Sequence, residues 1–258
     1  MPDNHSLIEI KDLSFFYPGA VCALKDVNLN INQGESVAIV GHNGAGKTTL
    51  VRHLVGLHFA KTGHVHVDGI NVRRENLAQV REVVGMVAQN PDDQLFCPSV
   101  REDIEFGPIN MGLPPDEVKL RADRVMQTVG ISKLADKPAH HLSGGQKKRV
   151  AIASVLAMRP KVLIMDEPTA NLDPANEKIL TDLIKGLDCT KIIISHDLPI
   201  LFQVCKRVVV MHQGQVKRDC SMQKFMYDRD LICNYGLDFR FKCRCCRKIH
   251  PQKFAICS

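Results

Sequence analysis

Short apolar runs, bounded by glycine or polar residues, recur along most of the chain. They lie at residues 36–40, 65–67 and 83–87, and again at 162–165, 192–194 and 208–211. Several follow helix-like stretches, as in residues 177–187, where apolar residues at helical spacing share one face: Ile179, Leu180, Leu183, Ile184 and Leu187. Because near-continuous apolar strands that alternate with helices are typical of a parallel sheet buried on both faces, we predict an α/β fold.

The hydrophobic pattern changes between about residues 90 and 160, where strand-like apolar runs are missing. Pro114 and Pro115, followed by Asp116 and Glu117, indicate a helix start. A second helical stretch covers residues 146–158. We therefore predict a helical subdomain at about 90–160, inserted into the α/β domain.

Composition and charge narrow the class of protein. With 45% hydrophobic and 24% charged residues, most of the chain has the usual globular mix, which excludes disorder and fibrous repeats. No apolar run approaches the roughly 18 to 20 residues that cross a bilayer, and residues 1–5 lack the layout of a secretory signal, which predicts a cytosolic location. Of the net charge of +6, residues 237–258 carry +5, so the first 236 residues are almost neutral.

A glycine-rich loop stands between the apolar run at 36–40 and the helix-like residues 50–57. In this strand-loop-helix context it matches the phosphate-loop pattern G-x-x-x-x-G-K-[ST]. Its backbone N–H groups and the helix N-terminus suit phosphate, Lys47 would reach the β- and γ-phosphates, and Thr48 would bind Mg²⁺. We predict ATP-binding residues throughout the loop: Gly41, His42, Asn43, Gly44, Ala45, Gly46, Lys47, Thr48 and Thr49.

Two adjacent carboxylates end the apolar run at 162–165. Asp166 and Glu167 would lie at the carboxyl end of a buried strand, which is where α/β sheets place their ligands. Asp166 suits the coordination shell of Mg²⁺, and Glu167 is placed to polarise an attacking water. A solvated acidic turn is the alternative interpretation, but the phosphate loop in the same chain favours the catalytic one.

A second candidate anion site leads into the helical stretch at 146–158. Its residues are Leu142, Ser143, Gly144, Gly145 and Gln146. A serine and two glycines at a helix start present N–H groups and a hydroxyl to an anion. One nucleotide does not need two phosphate sites, so we predict that this segment serves the nucleotide of a neighbouring subunit.

Together these motifs resemble those of ABC transporter ATP-binding subunits. The resemblance covers about residues 7–217 and includes the phosphate loop, Gln89, the LSGGQ signature at 142–146, the acid pair, and the segments 171–173 and 195–197 in the family order. It implies a P-loop ATPase fold with an N-terminal antiparallel β part, a mostly parallel core and an inserted helical subdomain. Residues 218–258 would form a C-terminal extension, and Asn171 stands where many relatives have glycine or alanine.

The resemblance also implies roles for individual residues. Tyr17 looks like the aromatic residue that stacks on adenine, although a core aromatic remains an alternative. Gln89 looks like the glutamine that contacts Mg²⁺ and the water, and His196 like the histidine that bonds the γ-phosphate and orients Glu167. Asp173 would cross the interface of a head-to-tail dimer, a homodimer or a heterodimer with a paralogue, that encloses two ATP molecules.

Residues 90–96 resemble a segment of energy-coupling-factor importers, particularly of the cobalt and nickel type, as do residues 105–113. In that group the segment faces a transmembrane subunit. Asp92, Asp93 and Gln94 are therefore candidates for coupling hydrolysis to transport, with a solvated acidic turn as the alternative.

The resulting hypothesis is a peripheral ATP hydrolase on the cytoplasmic face of the cell membrane. Its partners would be integral membrane transport subunits and a substrate-binding membrane component, and its cargo cobalt, nickel or a vitamin. An exporter-type ATPase shares every catalytic motif and is an alternative. A soluble ABC ATPase acting on nucleic acid or ribosomes is disfavoured, because only 5% of the residues are aromatic and the basic charge is confined to the tail.

Half of the ten cysteines lie in residues 228–258, the tail of the chain. Cys233, Cys243, Cys245, Cys246 and Cys257 accompany His250 and contain one C-x-x-C pair, which is half of the usual zinc pattern. Metal binding, an unstructured basic end and attraction to anionic lipid or to a partner all remain open. The other five cysteines are expected to be reduced thiols.

Overall fold

The computed structural model describes residues 6–228. The strands are β1 (Ser6–Tyr17), β2 (Val21–Asn32), β3 (Ser36–Val40), β4 (Thr62–Val67), β5 (Ile70–Asn71), β6 (Val84–Val87), β7 (Val162–Asp166), β8 (Thr190–Ile194), β9 (Arg207–His212) and β10 (Gln215–Ser221). The α-helices are α1 (Lys47–Leu54), α2 (Leu77–Val83), α3 (Val100–Asn110), α4 (Pro115–Thr128), α5 (Gly144–Leu156), α6 (Pro174–Gly186), α7 (Leu198–Val204) and α8 (Met222–Tyr227).

A six-stranded sheet forms the centre of the fold, in the order β10-β9-β3-β8-β7-β6. All neighbouring pairs are parallel except β9 and β10. Every residue of β7 and β8 is buried, because both faces of the sheet are covered, as the continuous apolar runs predicted. The α/β prediction and its mostly parallel core are confirmed.

A second, antiparallel sheet comes from the N-terminal part of the chain, in the order β2-β1-β4-β5. Apolar side chains of β1 and β2 pack in one cluster with the α1 side of the central sheet, including Leu13, Leu24, Leu50 and Ile39. This cluster fixes α1, and with it the loop before α1, against the end of β3. The antiparallel part implied by the family resemblance is confirmed.

Helices α3, α4 and α5 occupy the chain between β6 and β7, where the sequence predicts the helical subdomain. Their buried residues Ile104, Met126 and Val150 join the same core cluster as Leu163 of β7. Helix α5 therefore packs on the central sheet, and its position relative to the strand ends is fixed by a continuous core.

The structure differs from the sequence predictions in two places. Ile179 of α6 is 49% exposed, whereas Leu180 and Ile184 are buried, because the buried stripe of this helix is narrower than its apolar stripe. The predicted boundary after residue 217 falls inside β10, and Phe225 of α8 is fully buried in the core. Within residues 6–228, no helix is both long and apolar enough to cross a membrane.

Candidate nucleotide site

The carboxyl ends of β3, β7 and β8 open into one cleft of about 590 Å³. Ligands of open α/β sheets bind at this edge. The phosphate loop follows β3, the acid pair ends β7, and His196 follows β8. Residues predicted for the site line the cleft: Tyr17, residues 43–49, Gln89, Asp166, Glu167 and His196.

Glycine geometry shapes the phosphate loop. Gly41 and Gly46 have φ angles of 156° and 99°, a region that residues with a Cβ rarely adopt. A Cβ on Gly41 would collide with the carbonyl oxygen of Met211 in the neighbouring strand β9, and one on Gly46 would lie 2.6 Å from that of Ala23. The loop therefore lies directly against the backbone of the fold before α1 begins at Lys47.

Lys47 lies over this loop with its side chain buried. Its Nζ donates to the carbonyl oxygens of Gly41 (2.7 Å) and His42 (3.0 Å). Burial lowers the pKa of Lys47, and the carboxylates of Glu167 and Asp166 oppose that shift. A cation held in this position suits the terminal phosphates of a nucleotide.

Thr48 and Asp166 place two oxygen atoms side by side beneath the loop. Oγ1 of Thr48 donates to Oδ2 of Asp166 at 3.1 Å. Burial raises the pKa of Asp166, which the hydrogen bond from Thr48 and the charge of Lys47 partly offset. A half-buried hydroxyl and a buried carboxylate are hard oxygen donors of the kind that Mg²⁺ prefers, so the residues present fit that ion.

Glu167 occupies a strained backbone position at the end of β7. Its φ is 48°, and such outliers concentrate at functional sites. Oε2 accepts from Oγ of Ser195 (3.1 Å) and from the backbone N–H of His196 (3.4 Å). Nε2 of His196 lies 3.2 Å from Oε1, but without hydrogen-bond geometry, so this buried oxygen has no donor among residues 6–228.

Tyr17 also lines the cleft, where it belongs to a group of rings. Its hydroxyl lies 3.2 Å from Oγ1 of Thr49 and 3.3 Å from Nε2 of His58. Phe15 meets the Tyr17 ring edge-on at 5.1 Å and stacks on His58 at 4.9 Å. The tyrosine is half-buried and borders the cleft, so both the stacking role and a packing role suit its position.

The signature residues Leu142, Ser143, Gly144, Gly145 and Gln146 start helix α5 and do not border this cleft. Ser143 Oγ accepts from the N–H of Gln146, and the Gln146 side chain accepts from the N–H of Ser143. This capping box fixes the helix start. A Cβ on Gly145 would lie 2.6 Å from the side chain of Asn176, whereas one on Gly144 would meet nothing within 4 Å, so the start of α5 is exposed at Gly144 and lies outside the cleft of the chain's own phosphate loop.

Asp173 caps helix α6. Its Oδ1 accepts from the N–H groups of Ala175 (3.0 Å) and Asn176 (3.1 Å). These hydrogen bonds, led by the contact with the Asn176 side chain, lower the pKa of Asp173. Just before it, Asn171 has a φ of 63°, a left-handed conformation that asparagine tolerates better than most residues with a Cβ.

The three coupling candidates divide into two kinds. Asp92 and Asp93 are exposed, and Asp92 pairs with Lys147 of α5 at 2.6 Å. Gln94 instead points inward: its amide accepts from the N–H of Ala88 (3.1 Å) and donates to the carbonyl of Ala151 (2.8 Å). The coupling role expected of the three residues stays a prediction; the donated hydrogen bond ties Gln94 to α5, whereas Asp92 and Asp93 are exposed.

Two further residues of the site received no role from the sequence. Ser195 was identified only as part of a motif, yet its hydroxyl holds Oε2 of Glu167. Lys148, on α5, is buried and donates to the backbone of Gln89 and Glu167; burial lowers its pKa, and Glu167 and Asp166 oppose that shift. A lysine two residues after a signature motif carries no local signal of burial, so sequence reasoning missed it.

Comparison with known proteins agrees with this site. The family model described as "ABC transporter" matches residues 24–170. A "Putative ABC transporter ATP-binding protein" of Streptomyces coelicolor is 43% identical over 93% of both chains. The "Energy-coupling factor transporter ATP-binding protein EcfA" of Methanothermobacter thermautotrophicus is 44% identical over 88% of this chain and 74% of its own length.

Solved structures give the same result. CbiO1 from Clostridium perfringens, described as part of the ABC transporter complex CbiONQ, is 40% identical, with a TM-score of 0.79 over 91% of this chain and 96% of its own. The cassette MJ0796, solved as a dimer in a post-hydrolysis state with ADP and Pi, is 28% identical, with a TM-score of 0.75 over 83% of this chain and 98% of its own. The chain is therefore an ATP-binding, ATP-hydrolysing subunit that belongs to the ABC transporter family.

Proposed function

We propose that this protein powers a membrane importer of the energy-coupling-factor type from the cytoplasmic face of the cell membrane. The observation that carries the catalytic part is the meeting of Lys47, the Thr48–Asp166 pair and the buried Oε1 of Glu167 in one cleft. The importer part is supported by the likeness to EcfA and to CbiO1.

ATP binds first through the phosphate loop. Lys47 and the N–H groups of residues 41–49 hold the β- and γ-phosphates, because the loop and the start of α1 present positive charge and N–H donors together. Tyr17, which also lines the cleft, stacks on the adenine ring. Thr48, Asp166 and the side chain of Gln89 would hold Mg²⁺, and the ion would neutralise charge on the phosphates.

Hydrolysis then depends on Glu167. Oε1 accepts a hydrogen bond from the attacking water and takes its proton as the γ-phosphate is lost, a role that needs an oxygen without another donor. Ser195 and the backbone of His196 hold Oε2, so the carboxylate cannot rotate freely. His196 orients Glu167 through its backbone N–H, and its exposed imidazole bonds the γ-phosphate. Catalysis consists mainly of positioning and charge stabilisation.

The complete site requires a second subunit. Residues Leu142–Gln146 contact the nucleotide of the partner, because their helix start is exposed and lies outside the chain's own cleft. Asp173, at the exposed start of α6, lies at the interface. All motifs are intact in this chain, which permits a homodimer with two working sites, and a paralogue with the same interface would form a heterodimer.

A surface next to the site suits the membrane subunit. Phe96 and Phe106 are 67% and 47% exposed and meet edge-to-face at 4.9 Å, with Ile109 exposed nearby on α3. Apolar surface flanked by charge is typical of a protein interface, and Asp92 and Asp93 lie on the same segment as Phe96. We propose that this surface, the coupling surface, binds a transmembrane transport subunit.

Cobalt, nickel or a vitamin is the proposed cargo, on the resemblance of residues 90–96 and 105–113 to energy-coupling-factor importers, particularly of the cobalt and nickel type. Specificity would lie in the membrane subunits rather than in this chain. A metal-binding role of the cysteine-rich tail falls outside residues 6–228.

Co-purification tests the importer proposal. The protein, tagged at its N-terminus, is recovered in mild detergent from the membranes of its own cell. We expect small integral membrane proteins to accompany it, including a substrate-binding component. F96D should release them, whereas I179D, at an exposed apolar residue of α6, should not. Recovery of ribosomes or DNA-processing proteins without membrane proteins would contradict the importer proposal while leaving the ATPase intact.

A further inference from the structure

Lys148 is a buried lysine at the junction of three parts of the molecule. Its side chain leaves helix α5, which starts with the signature residues, and is only 5% exposed. Nζ donates to the carbonyl oxygen of Gln89 at 2.5 Å and to that of Glu167 at 3.2 Å. One ammonium group therefore links α5, the Gln89 segment and the end of β7.

The Gln89 segment is also tied to α5 further along the helix. Nε2 of Gln94 donates to the carbonyl oxygen of Ala151 (2.8 Å) and to Oγ of Ser154 (2.9 Å). With Lys148 on Gln89, residues 89–94 are held to α5 at both ends. The bond from Lys148 to Glu167 then joins this unit to the strand that carries the catalytic acid.

Both peptide groups of Glu167 are fixed as a result. Its N–H donates to the carbonyl oxygen of Ile194 in β8 at 2.8 Å, and its carbonyl oxygen accepts from Lys148 and from the N–H of Ala170 (3.2 Å). Since φ of Glu167 is 48°, the strained backbone needs support on both sides. The hydrogen bond from Lys148 is the contact by which helix α5 supports the backbone of Glu167.

We propose that Lys148 is a positioning residue, which sets Gln89 and Glu167 in their working arrangement only when α5 is docked against the central sheet. The proposal rests on the proposed roles of those two residues in hydrolysis. It gives the signature helix, whose start faces the partner's nucleotide, a direct route to the chain's own catalytic acid.

The test compares K148M, which removes the donors at similar size, with K191M. Lys191 is a matched control, because it is also buried (6% exposed) and donates to a backbone carbonyl, that of Leu187, at 2.5 Å, but at the opposite end of the parallel strands. We expect K148M to lower kcat by about 10- to 100-fold, the cost of a misplacement of about 1 Å. The KM for ATP should stay within about threefold, and the Mg²⁺ concentration for half-maximal rate should rise, because Gln89 is displaced.

K191M should lower the melting temperature while kcat stays within about twofold of wild type. K148Q, whose shorter amide keeps N–H donors, should give a kcat between those of wild type and K148M. If K148M does not fold, K148Q takes its place in the test. The proposal is overturned if the folded variant keeps kcat within about twofold of wild type, or loses no more than K191M. E167Q is measured in parallel, to separate the role of Lys148 from the proposed site of hydrolysis. If the wild-type protein hydrolyses ATP no faster than E167Q, the proposed site is overturned as well.

Discussion

His53 shows how a single side chain links the cleft to stability. His53 is fully buried, and its Nδ1 lies 2.8 Å from the carbonyl oxygen of Thr49, a residue that lines the cleft. Its ring meets Phe15 edge-on at 4.8 Å. Burial lowers its pKa from 6.5 to about 4. The folded protein therefore holds this histidine neutral at pH values where the unfolded chain binds a proton.

The stability of the protein should consequently fall on acidification. Because the pKa of His53 is lower in the folded state, its contribution to the unfolding free energy is fully present above pH 6.5. That contribution is lost as the pH falls from 6.5 toward 4. A shift of this size corresponds to about 2 kcal/mol less unfolding free energy at pH 5 than at pH 7. Urea unfolding at both pH values measures it.

His53→Leu provides the comparison for this pH dependence. It should remove most of the His53 contribution, leaving that of His58, whose pKa burial also lowers. An unchanged difference between pH 5 and pH 7 in the variant would contradict the assignment of the effect to His53.

At the scale of elements, the buried strands were the part that the sequence predicted best. The run at 36–40 is strand β3, and the run at 162–165 is β7 less its last residue, Asp166, because burial on both faces leaves a continuous apolar signal. Helix starts were less well placed: α5 begins at Gly144 and α6 at Pro174. Ser143 and Asp173 are the N-caps of these two helices. In the sequence, the motifs assign Ser143 to the partner's nucleotide and Asp173 to the dimer interface, and neither residue was therefore used to predict a helix start.

Which side chains point inward was not predictable in the segment at 90–96. Gln94 and Asp92 are both polar, nearly adjacent and bonded to α5, yet Gln94 reaches the helix backbone from a half-buried position while Asp92 pairs with Lys147 at the exposed surface. The difference arises from the tertiary packing of a short turn against a helix, which no local pattern encodes. The same reason hid Lys148, whose partners are 59 and 19 residues away in the chain.

Replacement of Asp92 and Asp93 by alanine should uncouple transport from hydrolysis. Both side chains are exposed beside the coupling surface, so their loss should leave the cleft intact. In the complex with its membrane subunits, we expect transport to fall at least about tenfold, within the range of coupling energies between sites, while ATP hydrolysis persists. Transport assays on reconstituted vesicles measure it.

The matched control for this variant is D182A combined with D188A, which removes two exposed carboxylates outside the segment. The control should transport at the wild-type rate. Full transport by the Asp92 and Asp93 double variant would show that the acidic pair is only a solvated turn.

At the scale of the whole molecule, the site is divided between two faces. The cleft contains the phosphate loop and the acids, and the signature residues stand outside it at the start of α5. The head-to-tail dimer that we propose would bring the two faces together, and the MJ0796 cassettes, which are similar in structure to this chain, were solved as dimers. The sequence predicted this division from the presence of two anion sites, whereas the links between them through α5 required the structure.

Glu167→Gln provides the most direct test of the account, because it changes one oxygen to nitrogen in the catalytic group and keeps its shape. The account predicts that ATP hydrolysis by the purified protein falls at least about 10²-fold, the usual loss for a general base, while ATP affinity is retained. Glu82→Gln, at an exposed residue of α2, should hydrolyse at the wild-type rate. Turnover near wild type in Glu167→Gln would contradict the assignment of this cleft as the site of hydrolysis.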